Sequence, residues 1–140
     1  MKKEEKLDNI KEILLKNLKL DAIILFGSYA RNRERIDSDI DIAIKPKCDI
    51  PKETLIEIQE KIEEKIDTDI HLINLDVIED DFRYDILITG QELYVENEMC
   101  FIEYKLAAFN KYLDLNEDRQ IIINKIKEGG TLYGEWISYT

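Results

Sequence analysis

Apolar residues return at spacings of three and four between Lys2 and Lys19, at Leu7, Ile10, Leu14 and Leu18. That period places them on one face of a helix. The pattern then changes. Residues 21–26, Asp-Ala-Ile-Ile-Leu-Phe, read as a short buried strand ended by Gly27, and 28–33 can begin a short helix. From Ser38 to Ile44 apolar and polar positions alternate with period two, as along a strand. Pro46 and Pro51 mark residues 45–51 as a loop. Leu55, Ile58, Ile62 and Ile66 carry a second amphipathic helix over 52–66, and 67–73 reads as a third strand. Residues 80–89 look helical and stop at Gly90, 92–95 form a short strand, and 97–128 are mostly helical, with a break expected near 114–118. Gly129-Gly130 closes that stretch, and the pattern over 132–140 selects no element.

Strands alternate with helices over residues 1–95, and 96–140 form a helical extension of the same domain. The expected architecture is α/β (α+β), a small mixed sheet flanked by helices. There is no internal repeat, no low-complexity stretch and no linker long enough to separate two domains. The longest run without a polar residue, Ala22 to Phe26, is far short of the ~20 residues of a membrane span.

Composition sharpens this picture. The chain has 140 residues, 44% of them hydrophobic, enough to bury roughly two-thirds of its unfolded surface. Its net charge of −11 repels a polyphosphate backbone, so direct nucleic-acid binding is not expected. Cys48 and Cys100 lie far apart and form no C-x-x-C pair; reduced structural thiols suit a cytoplasmic protein. The start, Met1-Lys2-Lys3-Glu4-Glu5-Lys6, runs into an amphipathic pattern with acids and does not look like a secretory signal.

Three features carry candidate chemistry. The first is Phe26-Gly27-Ser28-Tyr29-Ala30-Arg31, where a strand ends and a helix starts. Backbone N–H groups at such a helix start can hold a phosphate. Gly27 lets the backbone approach a ligand, and the Ser28 hydroxyl can donate to it. Alone this is weak, since Ser is a common cap and Gly a common turn residue. The second is Asp39-Ile40-Asp41. On a strand both carboxylates share a face, about 6–7 Å apart, while Ile40, Ile42 and Ile44 point into the core. Mg²⁺ takes one or two carboxylates plus substrate phosphates. In a chain with 31 acids, however, a chance D-x-D on an exposed sheet face is common. The third is Asp69, on a later strand, with Asp67 as a rival nearer the strand's start. Should that strand neighbour the Asp39–Asp41 strand, three carboxylates meet. Like charges at 4 Å repel by roughly 4 kcal/mol at an effective dielectric near 20, so the cluster makes sense with cations between the acids and a nucleotide.

Together these features are far more specific. Gly27-Ser28, ten residues, Asp39-x-Asp41 and a later Asp resemble the minimal nucleotidyltransferase signature of the DNA polymerase beta superfamily, and the chain departs from it nowhere. Residues 81–94, Asp-Phe-Arg-Tyr-Asp-Ile-Leu-Ile-Thr-Gly-Gln-Glu-Leu-Tyr, and the helix holding 109–115 are similar to MntA-type antitoxins, the nucleotidyltransferase halves of HEPN–MNT toxin–antitoxin pairs. The resemblance covers roughly residues 7–128.

The resemblance implies a nucleotidyltransferase fold that transfers AMP from ATP to a tyrosine hydroxyl of a HEPN RNase toxin and so neutralises it. Gly27 and Ser28 would hold the triphosphate; Arg31, one turn into the helix after Ser28, suits either a triphosphate contact or a salt bridge to a nearby acid. Asp39 and Asp41 would bind one Mg²⁺ and share a second with Asp69. Two alternatives stay open: a small-molecule acceptor, and a non-catalytic antitoxin that only binds its toxin. Arg83 and Tyr84 are read as helix packing rather than pocket lining, His71 as structural, and Tyr104, Ala108, Phe109 and Tyr112 as a helix–helix contact.

Overall fold

The computed structural model describes residues 1–27 and 39–114. In chain order these form α1 (Lys3–Asn17), β1 (Leu20–Phe26), β2 (Ile40–Pro46), α2 (Lys52–Ile66), β3 (Ile70–Asn74), α3 (Asp80–Thr89), β4 (Gln91–Val95) and α4 (Glu98–Asp114). The four strands make one mixed sheet in the order β3-β2-β1-β4. β2 and β3 run parallel, while β1 is antiparallel to both β2 and β4. The expected α/β class and mixed sheet are therefore what the chain adopts. The short helix expected over 28–33, the break near 114–118 and everything beyond lie outside the described residues.

Each face of the sheet is covered by a helix pair. One face presents Ile23 and Leu25 of β1, Ile40, Ile42 and Ile44 of β2, and Ile70 and Leu72 of β3 to Ile10 and Leu14 of α1 and Ile58, Ile62 and Ile66 of α2. The other presents Ala22, Ile24 and Ala43 to Ile86 and Leu87 of α3 and Phe101 and Ala108 of α4. The smaller residues of this second face let α3 and α4 sit close. Gly90 serves the same end: a Cβ there would strike the Ile24 side chain and the Ile86 carbonyl, so only glycine lets the chain turn from α3 into β4 against β1.

Most boundaries differ from the sequence pattern by a residue or two, and two of the shifts have a clear local reason. β2 continues through Lys45 to Pro46, where a loop was expected. Pro46 lies beyond the last β2–β3 pair, Ile44↔Asn74, and faces only Leu20 of β1, so its missing N–H interrupts no inner ladder. β3 starts at Ile70 rather than at 67, because Asp67 closes α2 in the left-handed conformation (φ 53°) with its N–H donating to the Glu63 carbonyl.

β3 is an edge strand, and α2 satisfies part of that edge. The Ile70 N–H donates to Glu63 Oε2 at 2.9 Å, and the Leu72 N–H to Gln59 Oε1 at 3.1 Å. Glu63 and Gln59 are one helical turn apart, so a single helix face caps two N–H groups that would otherwise offer pairing to another chain.

Arg83 pins α3. It is only 9% exposed, and its guanidinium donates from Nε to the Leu75 carbonyl (2.7 Å), from Nη1 to Asp80 (2.6 Å) and from Nη2 to the Ile78 carbonyl (3.0 Å). Tyr84 stacks on Tyr112 of α4, with ring centroids 3.8 Å apart and planes within 2°. Both residues thus pack the helices, as their spacing suggested. Replacing the arginine strands two carbonyls in a dry setting. Arg83→Met should therefore lower stability by about 2–3 kcal/mol in urea denaturation; a loss below about 1 kcal/mol would show that water replaces the guanidinium there.

Candidate active site

The C-terminal end of β1 and the N-terminal ends of β2 and β3 meet at one end of the sheet. Register fixes what faces what. Asp41 pairs with Phe26 on one side and with His71 on the other. The Ile40 N–H donates to the Asp69 carbonyl at 3.1 Å, so Asp39 and Asp69 lie side by side just before their strands. Because Ile40, Ile42, Ile70 and Leu72 fill the opposite face, alternation sends Asp39, Asp41, Asp69 and His71 to the face shared with Phe26. That is the face carrying α3 and α4, and the acids occupy the end these helices leave open.

Asp39 and Asp41 are brought together around one imidazole. His71 Nδ1 lies 3.1 Å from Asp41 Oδ1, and Nε2 lies 3.4 Å from Asp39 Oδ2. A neutral ring has a single N–H, so both contacts are hydrogen bonds only in the imidazolium form. Sequence reading set His71 aside as structural, whereas it touches both acids of the motif. The signal that could have found it is the in-line parallel register, which seats residue 71 beside residue 41. Asp69 shares the face but is exposed, and the backbone of Asp67 closes α2 rather than continuing the strand.

The expected chemistry needs a hard divalent cation, and the donor set suits one. Among the described residues no three His, Cys, Asp or Glu side chains form a ready metal site. Two neighbouring carboxylates with room for outside oxygen ligands are, however, what Mg²⁺ commonly takes from a protein. The roles expected for Ser28 and Arg31 fall outside the described residues.

Gly27 ends β1 with φ 73°, a left-handed conformation that side chains rarely adopt. A Cβ at this position would overlap Asp41 Oδ2. The glycine therefore does two things: it turns the chain, and it leaves the Asp41 carboxylate space. Gly27→Ala should cost about 1–2 kcal/mol from backbone strain alone and more from the collision. In an Asp41→Ala background the collision disappears, so the cost should fall towards the strain value; equal costs in the two backgrounds would show that the carboxylate is not the obstacle.

Asp41 is the most enclosed of the three site side chains, at 24% exposure against 43% for Asp39 and 62% for His71. Burial raises its carboxyl above the ordinary range, His71 opposes this by charge and hydrogen bonding, and Asp39 adds to the rise. The native state thus holds this proton more tightly than the unfolded chain. Its contribution to stability declines as pH climbs from the unfolded value through the raised folded one. In metal-free buffer Asp41→Asn should be more stable than the parent at pH 7, with the advantage shrinking under acid conditions. A less stable Asn variant at neutral pH would mean that the His71 contact outweighs desolvation.

Residues 8–99 match the family described as Polymerase beta, Nucleotidyltransferase. The chain is 26% identical over 108 residues to the protein adenylyltransferase MntA of Shewanella oneidensis, covering 77% of each. A crystal structure of a toxin–antitoxin with AMP-PNP aligns with a TM-score of 0.75 at 26% identity, over 86% of this chain and 97% of that one. A tri-AMPylated Shewanella oneidensis HEPN toxin in complex with MNT antitoxin aligns with a TM-score of 0.71 at 24% identity, over 88% and 97% of the two chains, a likeness of fold. With the sheet, the Gly27 turn and the paired aspartates in hand, the match over residues 8–99 makes this chain a member of the polymerase beta nucleotidyltransferase family.

Proposed function

We propose that this chain is a cytoplasmic antitoxin that transfers AMP from ATP to a tyrosine hydroxyl of a cognate HEPN RNase toxin. The observation that carries the reading is the Asp39–Asp41 pair, held on one sheet face beside the Gly27 turn, in a chain similar over 77% of its length to a protein adenylyltransferase. The similarity to a toxin–antitoxin holding an ATP analogue supports both nucleotide and partner. No helix among the described residues is long and apolar enough to cross a membrane.

In this reading Asp39 and Asp41 hold Mg²⁺, with Asp69 completing a second site. The bound ions supply charge neutralisation at the α-phosphate and at the leaving group. Gly27 keeps the backbone low beneath the phosphates, with Ser28 and Arg31 as further triphosphate contacts. The tyrosine oxygen of the toxin bonds to the α-phosphorus, the bond from that phosphorus to the bridging oxygen breaks, pyrophosphate leaves, and the phenolic proton passes to water. His71 lies between the two carboxylates, and its exposed ring can move aside when phosphate oxygens enter. The protein's own contribution is mostly positioning in a fixed frame. The added AMP would place a bulky anion near the toxin's RNase centre, blocking RNA by size and charge.

Intact-mass spectrometry tests the reading. The purified chain is incubated with Mg²⁺, ATP and the product of the neighbouring toxin gene. One or more AMP masses should appear on the toxin, and the Asp39→Asn/Asp41→Asn double variant should fold yet reduce transfer by at least about a thousand-fold, the scale of losing a metal-assisted step. A double variant that adds no AMP yet neutralises the toxin fully would leave a binding-only antitoxin. Transfer to small molecules but never to the toxin would assign a different acceptor.

A further inference from the structure

Phe82 stands in the first turn of α3 with 42% of its surface exposed. Exposure of one apolar residue says little by itself, but the setting of this one is specific. Its ring meets Phe26 edge-on, with centroids 6.0 Å apart and planes at 81°. Phe26 is the last residue of β1, the register partner of Asp41 and the neighbour of Gly27. Paired residues project from the same face, so the two rings stand beside the carboxylate pair rather than elsewhere on the fold.

Phe82 is also held in place. The next residue, Arg83, ties the start of α3 to the carbonyls of Leu75 and Ile78. Those bonds fix the backbone from which Phe82 projects, and the edge-on contact with Phe26 is what orients its ring. The result is a partly exposed aromatic ring, packed edge-on against Phe26, beside the strand end that carries the carboxylates. A nucleotide has two chemically different ends. The carboxylates and their cation suit the phosphates, whereas a base needs a flat apolar surface, and an aromatic side chain supplies one to any base through its π-face.

We infer that Phe82, packed against Phe26, is the platform on which the base of the nucleotide stacks. The inference deepens the adenylyltransferase reading and rests on it. Isothermal titration of the full chain in Mg²⁺ tests it with two probes: AMP-PNP, which carries a purine, and inorganic tripolyphosphate, which carries none. Phe82→Leu keeps apolar packing against Phe26 but loses the π-face. It should weaken AMP-PNP about ten-fold, the scale of one lost base stack, and leave tripolyphosphate unchanged. Phe82→Trp should hold AMP-PNP within about two-fold of the parent, since its indole offers at least as much π-surface. Unchanged AMP-PNP binding by Phe82→Leu, or equal weakening of both probes, would overturn the inference while leaving the adenylyltransferase reading intact. A parent chain that binds neither probe would overturn both.

Discussion

The two-residue alternation of β2 is the constraint on which the site depends. Ile40, Ile42 and Ile44 are each 0% exposed, and burying each such side chain is worth about 1.5–3 kcal/mol. A slip of one residue would turn all three to the other face and drive Asp39 and Asp41 into the apolar layer. The register of the acids is therefore set by the isoleucines between them. Because β2 is paired on both sides, the same constraint aligns its neighbours: Phe26 and Gly27 arrive from β1, and His71 from β3.

Around this strand the fold compensates for what the site cannot supply. Like charges crowded at one end of a sheet oppose folding, and the burial of Asp41 adds to that cost. The opposition is local, while the two apolar layers extend over the whole sheet. The far end of the same face is electrostatically settled by contrast. Lys45 sits 3.3 Å from Asp76 and near the Tyr104 ring, and Lys47 pairs with Asp21 and Glu96. Among the described residues the lysines of β2 and the turn after it thus serve acids at the far end, and none of them pairs with Asp39 or Asp41. Proteins commonly break local rules at functional sites and offset the cost elsewhere.

Much of this was legible because it lies in short-range patterns. α2 and α3 have the bounds their apolar spacing implies, Lys52–Ile66 and Asp80–Thr89. The Asp-x-Asp pair follows directly from alternation. What the pattern missed is long-range. Alternation gives the face of His71 but not the strand beside it, so its contact with both acids needed the parallel register of β2 and β3. Pro46 reads as a loop residue until the early end of β3 is known. Asp67 reads as a strand residue until its left-handed cap is seen. The anchoring by Arg83 is of the same kind, since the carbonyls it holds belong to the turn after β3 and no local pattern announces them.

Two carboxylates with room for outside oxygen ligands suit the transfer chemistry proposed above. A site that gathered three or more protein ligands would hold its cation whether or not nucleotide were present, and would retain it with the pyrophosphate product. Mg²⁺ parts with water reluctantly and is often held by one or two carboxylates plus substrate phosphates. Two close carboxylates with an imidazole between them, and Asp69 just before the adjoining strand, make a frame that a triphosphate would complete in the proposed reading. Nucleotide and cation would then enter together, and breaking the α–β phosphate bond would remove part of the coordination that holds them. In the proposed reading the sheet would serve less to bind metal tightly than to keep two carboxylates fixed and exposed, which the buried isoleucines of β2 and the glycine turn after β1 do from below.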